Sequence, residues 1–217
     1  MTDRLLVSPW DRERVRSDKR EAVLRAAAQV FNERGFSAST LDEVAERLNI
    51  TKPTLYYYVS SKDQILYECV RMGLTMLQEA IQEAGASGGS ALDKLVVAMR
   101  KYAQIVTMDF GRCLIRVGED PLPPDSQRRL RRIKAGIDQE FRELIRQGLE
   151  DGSIKTCDPK MAAFTLAGAL SWIGRWYRPG GALTPSEIAD QCVELLVNGL
   201  CARTGVQGRQ RARSDTR

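Results

Sequence analysis

Residues 51–62 of this chain concentrate hydrogen-bond donors beside aromatic rings. The side chains concerned are Thr51, Lys52, Thr54, Tyr56, Tyr57, Tyr58 and Lys62, with Thr40 as a further hydroxyl upstream. Hydroxyl and ammonium groups donate to phosphate oxygens and base edges, and tyrosine rings add flat apolar surface. Three consecutive tyrosines suit a purely solvated face poorly. The stretch therefore predicts a DNA-binding surface, and the alternative is that the tyrosines pack on a neighbouring helix.

A second group of residues predicts a small-molecule site. Trp172 and Trp176 lie one helical turn apart and offer stacking surface, and Arg175 between them offers a cation for an anionic group. Apolar candidates for a cavity are Met72, Met76, Met99, Met108 and Phe110, and further cations are Arg112, Arg116 and Arg178. Any single methionine is as well explained by core packing. An uncharged hydrophobic ligand would not need the arginines.

Catalysis and metal binding receive no support from the composition. The 217 residues include no histidine, which removes the commonest general base and the commonest metal ligand. The five cysteines are scattered without CxxC spacing, which predicts reduced thiols in a cytoplasmic protein. No nucleophile motif or carboxylate pair stands at a recognisable spacing. We expect no catalytic residue, no metal site and no cofactor other than a small-molecule effector.

Other global features are ordinary for a soluble protein. The net charge of +5 permits an anionic partner without requiring one. No secretory signal is visible at the N-terminus, and the longest nearly apolar run, residues 161–173, is too short to span a bilayer. We therefore expect no membrane partner.

Two short helices joined by a tight turn contain the tyrosine stretch. Thr40 can cap the first helix, with Glu43 three residues later completing a capping box. Asn49 tolerates the left-handed conformation that the turn requires. Thr51 can cap the second helix, and Pro53 is acceptable in its first turn. This arrangement predicts a helix-turn-helix, whose second helix enters the major groove of DNA.

Helical periodicity over the whole chain predicts an all-α protein of about nine helices. Residues 1–16 are expected to form a flexible arm, whose Arg4, Arg12, Arg14 and Arg16 could touch DNA or do nothing. A first helix is predicted over residues 17–34, where Gly35 ends it. The expected domains are the helix-turn-helix domain at 17–62, a ligand-binding and dimerisation domain at 63–203, and a disordered basic tail at 204–217.

The N-terminal part of the chain resembles a known family. The stretches that carry the resemblance are VLRAAAQVFNERGF at 23–36, Thr40, Val44-Ala45, ITKPTLYYYV at 50–59 and SKD at 61–63. They resemble the DNA-binding domain of the TetR family of bacterial transcriptional repressors. The resemblance implies that Lys52, Thr54 and Tyr57 face the bases, and that Thr40, Tyr56, Tyr58 and Lys62 contact phosphates. Asn49 replaces the usual glycine, and Val59 the usual phenylalanine, which is expected to loosen packing under the second helix.

The C-terminal part is similar to one branch of that family. Residues 170–181, LSWIGRWYRPGG, and 184–189, TPSEIA, resemble repressors that respond to acyl-CoA thioesters. The resemblance implies an acyl-CoA effector whose phosphates meet arginines, and a homodimer formed through the last two helices. Such dimers bind palindromic operators with half-sites about 35 Å apart. The alternatives are an uncharged drug or aromatic effector, and a helical module that binds another protein.

Overall fold

The described part of the chain is entirely helical. The computed structural model describes residues 9–200, and side chains from residue 13 to residue 198. Nine helices and no strand occur in this range, which confirms the predicted fold class. They are α1 Pro9–Arg34, α2 Leu41–Arg47, α3 Lys52–Tyr58, α4 Lys62–Gly85, α5 Ala91–Ile105, α6 Asp109–Arg116, α7 Pro124–Glu150, α8 Pro159–Trp176 and α9 Pro185–Leu200. The predicted tail at 204–217 lies outside the described residues.

Helix α1 begins at Pro9, so the prediction that it starts at residue 17 is wrong. The predicted flexible arm is helical over 9–16, and residues 1–8 lie outside the described range. Proline suits the first turn of a helix, and arginine and glutamate are good helix formers. The side chains of residues 13–19 are all exposed. These turns therefore lack an apolar stripe, which is why periodicity did not detect them.

Helices α1, α2 and α3 share one apolar centre. Its buried members include Val23, Leu24, Ala27, Phe31, Val44, Leu55 and Val59. Thr40 and Glu43 form the predicted capping box, and Thr51 caps α3 by accepting from the N–H of Thr54. Asn49 has a φ of 53°, as predicted for the turn. Val59 is buried, so the smaller residue is still fully covered under α3.

Helix α4 connects this three-helix head to the rest of the protein. Its N-cap Ser61 follows α3 closely, and its 24 residues extend for about 36 Å. At its far end the chain turns into α5. There Asp151 Oδ2 accepts from the N–H of Ala91, and Ser153 Oγ accepts from the N–H of Leu92. The loop after α7 therefore lies at the end of α4 opposite to the head.

Helix α6 is wedged between α1 of the head and helices α4 and α8. A Cβ on Gly111 would stand 1.9 Å from the carbonyl oxygen of Ile105, so only glycine permits this approach. The carbonyl oxygen of Asp109 accepts from Asn32 Nδ2 at 2.9 Å, and its carboxylate accepts from Gln29 Nε2 at 2.9 Å. Two hydrogen bonds thus join the start of α6 to α1.

Helices α8 and α9 are the last two described helices, and each leaves part of its surface exposed. Helix α9 packs on α5, whereas α8 packs mainly on α6 and α7. A Cβ on Gly174 would stand 3.1 Å from Ile115, so this glycine allows a close contact between α8 and α6 within the subunit. Large apolar side chains remain exposed on or near these helices: Met161, Phe164, Trp172, Trp176, Leu183 and Leu195.

The described residues hold neither a candidate metal cluster nor a candidate membrane-spanning helix. No group of three or more histidine, cysteine, aspartate or glutamate side chains there is arranged to hold a metal ion. Across the described helices, none is both long and apolar enough to cross a membrane.

Candidate nucleic-acid interface and effector cavity

Helix α3 is anchored on one side and open on the other. Leu55 is fully buried and Val59 nearly so, whereas Tyr56 and Tyr57 are 48% and 64% exposed. Tyr58 is half-buried, with its ring edge-to-face against Tyr57 at 5.1 Å between centroids. The exposed polar residues at the start of α3 are Thr51, Lys52 and Thr54. The structure therefore brings most of the predicted DNA-contact residues onto one open surface.

Some of these side chains already have partners within the head. Lys52 Nζ donates to Asp42 Oδ2 at 2.9 Å, and this hydrogen bond raises the pKa of Lys52. The hydroxyls of Thr51 and Thr54 are 2.8 Å apart. Both groups of the Lys52–Asp42 pair are exposed, and exposed ion pairs contribute little stability. The ammonium of Lys52 can therefore exchange its carboxylate for another acceptor at small cost.

The two outer residues of the predicted interface are more constrained. Thr40 is exposed at the start of α2, where its hydroxyl accepts from the N–H of Glu43 at 3.3 Å. Lys62 is half-buried, and its ammonium donates to the carbonyl oxygen of Phe36 and lies 4.4 Å from the centre of that ring. Lys62 thus fastens the start of α4 to the turn after α1, which sequence reasoning did not foresee.

A cavity of about 420 Å³ opens between α4, α5, α6, α7 and α8. Its lining includes Leu74, Leu77, Tyr102, Leu114, Ile115, Lys134, Ile137, Asp138, Phe141, Ala163, Phe164, Ala167, Gly168, Ser171, Trp172 and Arg175. Small-molecule sites are typically concave and mostly apolar, with a few placed polar groups, and have volumes of about 300–1,000 Å³. This cavity has that character.

The polar groups of the cavity fall into two sets. The hydroxyls of Tyr102 and Ser171 are 2.9 Å apart within the wall, and burial raises the pKa of Tyr102. Lys134, Asp138 and Arg175 supply the charges. Lys134 is ion-paired with Glu119, and Asp138 with Arg142.

Arg175 differs from the other charged residues of the cavity. Its Nη1 donates to the carbonyl oxygen of Arg116 at 3.3 Å. Among the side chains that the structure describes, no carboxylate forms an ion pair with it. It is exposed and one turn from Trp172, which is 65% exposed. Arg175 is therefore the cation of the lining best placed to accept an anionic ligand group.

The apolar residues predicted for the effector site do not line this cavity. Met76 packs on the core, and Met99 is fully buried in it. Met108 is exposed at the N-cap of α6. Phe110 is buried beneath Arg25 of α1, whose guanidinium carbon lies 5.2 Å from the centre of the Phe110 ring. Periodicity identifies apolar helix faces but does not identify which face meets a cavity.

Only some of the arginines and tryptophans predicted for the effector site line the cavity. Trp172 and Arg175 line the cavity, whereas Arg112, Arg116 and Trp176 do not. The guanidinium carbon of Arg112 lies 5.9 Å from the ring centre of Tyr177. Arg116 and Trp176 have exposed side chains outside the lining.

Several lining residues were not identified from the sequence. They include Tyr102, Lys134, Asp138, Phe141, Phe164 and Ser171. Phe141 belongs to the apolar stripe of α7, but nothing in the stripe distinguishes it from residues that fill the core. The polar members became recognisable only when five helices were placed around one space.

Comparison with known families agrees with the architecture. Residues 23–69 match the family model described as "Bacterial regulatory proteins, tetR family". Residues 88–200 match the model described as "Tetracyclin repressor-like, C-terminal domain". Together the two matched segments include all of α2, α3 and α5 to α9, the C-terminal part of α1 and the start of α4.

Individual proteins similar to the chain belong to the same group. The HTH-type transcriptional repressor KstR2 of Rhodococcus jostii is 29% identical over 202 residues, covering 89% of this chain and 97% of that protein. The solved structure of KstR2 of Mycobacterium tuberculosis has a TM-score of 0.74 at 21% identity, covering 85% of this chain and 95% of that one. AibR, solved with isovaleryl coenzyme A and operator DNA, has a TM-score of 0.71 at 24% identity, covering 82% and 97%.

At these identities the two solved structures establish the fold, and the family models establish the relationship. The exposed face of α3 is the part of that fold that reads DNA in a helix-turn-helix. The chain therefore belongs to the TetR family and is a DNA-binding transcriptional regulator, not an enzyme.

Proposed function

We propose that this protein is a homodimeric repressor that an acyl-CoA-type effector releases from a palindromic operator. The observation that carries the proposal is the mostly apolar cavity with Arg175 and Trp172 at its exposed side. A thioester of this class combines an apolar acyl group with a phosphorylated, aromatic nucleotide. The names of the similar proteins support it, since they include KstR2 repressors and an AibR complex with isovaleryl coenzyme A.

The DNA-reading surface is proposed to divide into two kinds of contact. Lys52, Thr54 and Tyr57, on the open side of α3, face base edges in the major groove. The phosphate contacts are Thr40, Thr51, Tyr56, Tyr58 and Lys62, at the helix starts and around α3. A phosphate at the start of α2 meets the positive end of that helix. Lys52 exchanges Asp42 for DNA on binding.

The effector is proposed to bind with its acyl group inside the cavity. Ile137, Phe141 and Leu74 supply apolar surface, and burying each CH₂ of an acyl chain contributes about 0.8 kcal/mol. Arg175 meets a phosphate of the nucleotide, because guanidinium and phosphate match in geometry. Trp172 offers a face for the adenine ring.

The dimer is proposed to form through the outer faces of α8 and α9. Met161, Phe164, Trp176 and Leu195 are exposed there, and large exposed apolar surfaces mark interaction sites. A dimer interface at α8 lies beside the cavity. A ligand in the cavity can then change the relative placement of two subunits.

Helix α6 is the proposed connection between effector and DNA. Leu114 and Ile115 line the cavity, and Asp109 at the other end of the same helix holds Gln29 and Asn32 of α1. A ligand that fits only one position of α6 shifts the population towards one spacing of the two heads. A spacing that differs from about one DNA turn does not fit both half-sites.

The effector class is tested by titrating the protein–operator complex with an acyl-CoA series and with the matching free acids. We expect the thioester to release DNA at concentrations at least tenfold below those of the acid, since only the thioester reaches Arg175 with a phosphate. Equal potency of acid and thioester would contradict the acyl-CoA proposal.

A pair of arginine variants sharpens this test. Arg175→Gln is expected to lose roughly tenfold in thioester sensitivity while operator affinity stays unchanged, because the residue lies outside the head. Arg178→Gln is the matched control, since Arg178 is also exposed at the end of α8 but does not line the cavity. An uncharged effector would leave both variants with the sensitivity of the unaltered protein.

A further inference from the structure

The first turns of α1 extend beyond the part of the helix that packs. Every side chain from residue 13 to residue 19 is exposed, and the buried positions of α1 begin at Val23. We refer to residues 13–19 as the α1 extension. Short helical segments are marginal in water unless another surface holds them. No side chain of the α1 extension is part of the buried core of its own subunit.

One contact ties the α1 extension to the recognition helix α3. The guanidinium carbon of Arg16 lies 5.3 Å from the centre of the Tyr57 ring. Tyr57 is the most exposed of the three tyrosines of α3, because Tyr56 is less exposed and Tyr58 is half-buried. Arginine can stack on an aromatic ring and still direct its N–H groups outwards to another partner. Arg16 therefore continues the surface that α3 presents to DNA.

The charge of this segment suits DNA. The α1 extension carries the cations Arg14, Arg16 and Lys19 and the anions Glu13 and Asp18, and Arg20 follows it directly. Arg20 is engaged by Glu68 of α4 at 3.4 Å, whereas Arg16 stands over the open face of α3. When α3 lies in the major groove, a group beside its exposed ring is at the groove edge, where the phosphate strand runs.

We propose that the α1 extension is a second DNA-binding element, in which Arg16 contacts a backbone phosphate beside the half-site that α3 reads. The proposal rests on DNA binding by the helix-turn-helix and is independent of the effector. Tyr57 positions the guanidinium by stacking. The contact adds affinity without base preference, because phosphates carry no sequence information directly.

The test is a salt series with the full-length Arg16→Ala variant on operator DNA and on unrelated duplex DNA. We expect affinity at low salt to fall by about tenfold on both, and the slope of log K against log salt to decrease in magnitude by about one, as for one lost phosphate contact. Arg16 is exposed, so helicity and thermal stability should remain those of the unaltered protein.

Lys155→Ala is the matched control for net charge. Lys155 is exposed in the loop after α7, next to the start of α5 and at the end of α4 opposite to the head. We expect it to leave the affinity and the salt slope nearly unchanged. An equal loss in Lys155→Ala would overturn the proposal by showing that only total charge matters.

Other outcomes would also overturn the proposal. If Arg16→Ala leaves both the affinity and the salt slope unchanged, then Arg16 of the unaltered protein makes no phosphate contact. Altered base preference with an unchanged slope means that Arg16 acts only by holding Tyr57. Failure of the unaltered protein to bind any duplex would instead reject DNA binding itself, and it is therefore distinguishable from failure of the α1 extension.

Discussion

The three-helix head and the effector cavity are built in different ways. In the head, α2 and α3 are seven residues each, and each has its own cap within a few residues of its exposed side chains. The cavity has no such local frame, because five helices separated by up to about a hundred residues supply its walls. The head is encoded by neighbouring residues, whereas the cavity depends on how helices α4 to α8 pack together.

The largest expected effect concerns the anchor of α3. Leu55→Ala removes a fully buried side chain from the head and should lower the free energy of unfolding by about 2–5 kcal/mol. Urea unfolding of the unaltered protein and the variant measures the loss. Val15→Ala, at an exposed position of α1, should change stability by less than about 0.5 kcal/mol. Equal effects at the two positions would contradict the packing described for the head.

The next effect concerns base preference. Tyr57→Ala should reduce discrimination between operator and a single-base variant by about 1–3 kcal/mol if the ring contacts a base. Competition binding with the two duplexes measures it. Tyr56→Phe is the better phosphate control than a Lys62 variant, because Lys62 also holds Phe36 inside the head. The Tyr56→Phe change should weaken binding to both duplexes alike. A change of base preference in this variant would mean that Tyr56, and not Tyr57, contacts the base.

A smaller effect is expected from filling the cavity. Ala167→Phe adds a ring to the lining and should raise the effector concentration needed for DNA release by about tenfold, because overpacking costs about 1–3 kcal/mol. Operator affinity without effector should stay unchanged. Ala86→Phe, at the exposed end of α4, is the control with no expected effect. If the Ala167 variant responds normally, the effector binds elsewhere.

The smallest effect is a pH dependence near the cavity. Burial alone would raise the pKa of Glu119, but the hydrogen bond and charge of Lys134 outweigh it and hold the pKa below its usual 4.5. A lowered folded-state pKa stabilises the protein above the unfolded value, and this contribution is lost as pH falls through the folded value. Glu119→Gln should therefore be less stable by about 1 kcal/mol near neutral pH, with the difference shrinking below pH 4.5.

Glu33 in the head provides the comparison for this pH effect. Its pKa is also lowered, chiefly by its hydrogen bond to Arg47, but its side chain is about half exposed. Solvent screens such a pair, so Glu33→Gln should show a smaller difference over the same range. Urea unfolding at neutral and acidic pH measures both variants. A larger loss of unfolding free energy in Glu33→Gln than in Glu119→Gln would mean that solvent exposure does not determine how strongly these ion pairs stabilise the protein.

Local signals explain how much of the fold was predictable. Thr40 with Glu43, Asn49, and Thr51 with Pro53 each mark an element boundary within a few residues, and all three appear where predicted. The start of α1 was missed because its exposed residues lack an apolar stripe.

The cavity was predictable only in part because it is a tertiary feature. Trp172 and Arg175 were identified because rings and a cation occur one turn apart on α8. Phe110 has the same apolar character but faces α1, and Lys134 and Asp138 look like any solvated charges in the sequence. Which side of a helix meets empty space depends on partners far away in the chain.

The position of Trp172 also has an optical consequence. The chain has three tryptophans, and two of them, Trp172 and Trp176, lie at the end of α8, whereas Trp10 lies in the first turn of α1. Indole emission depends on solvent contact, and Trp172 is both exposed and part of the cavity wall. The intrinsic fluorescence of the unlabelled protein is thus weighted towards the C-terminal end of α8. With Trp10 replaced by phenylalanine, both remaining fluorophores would lie on α8, and one of them would be part of the cavity wall.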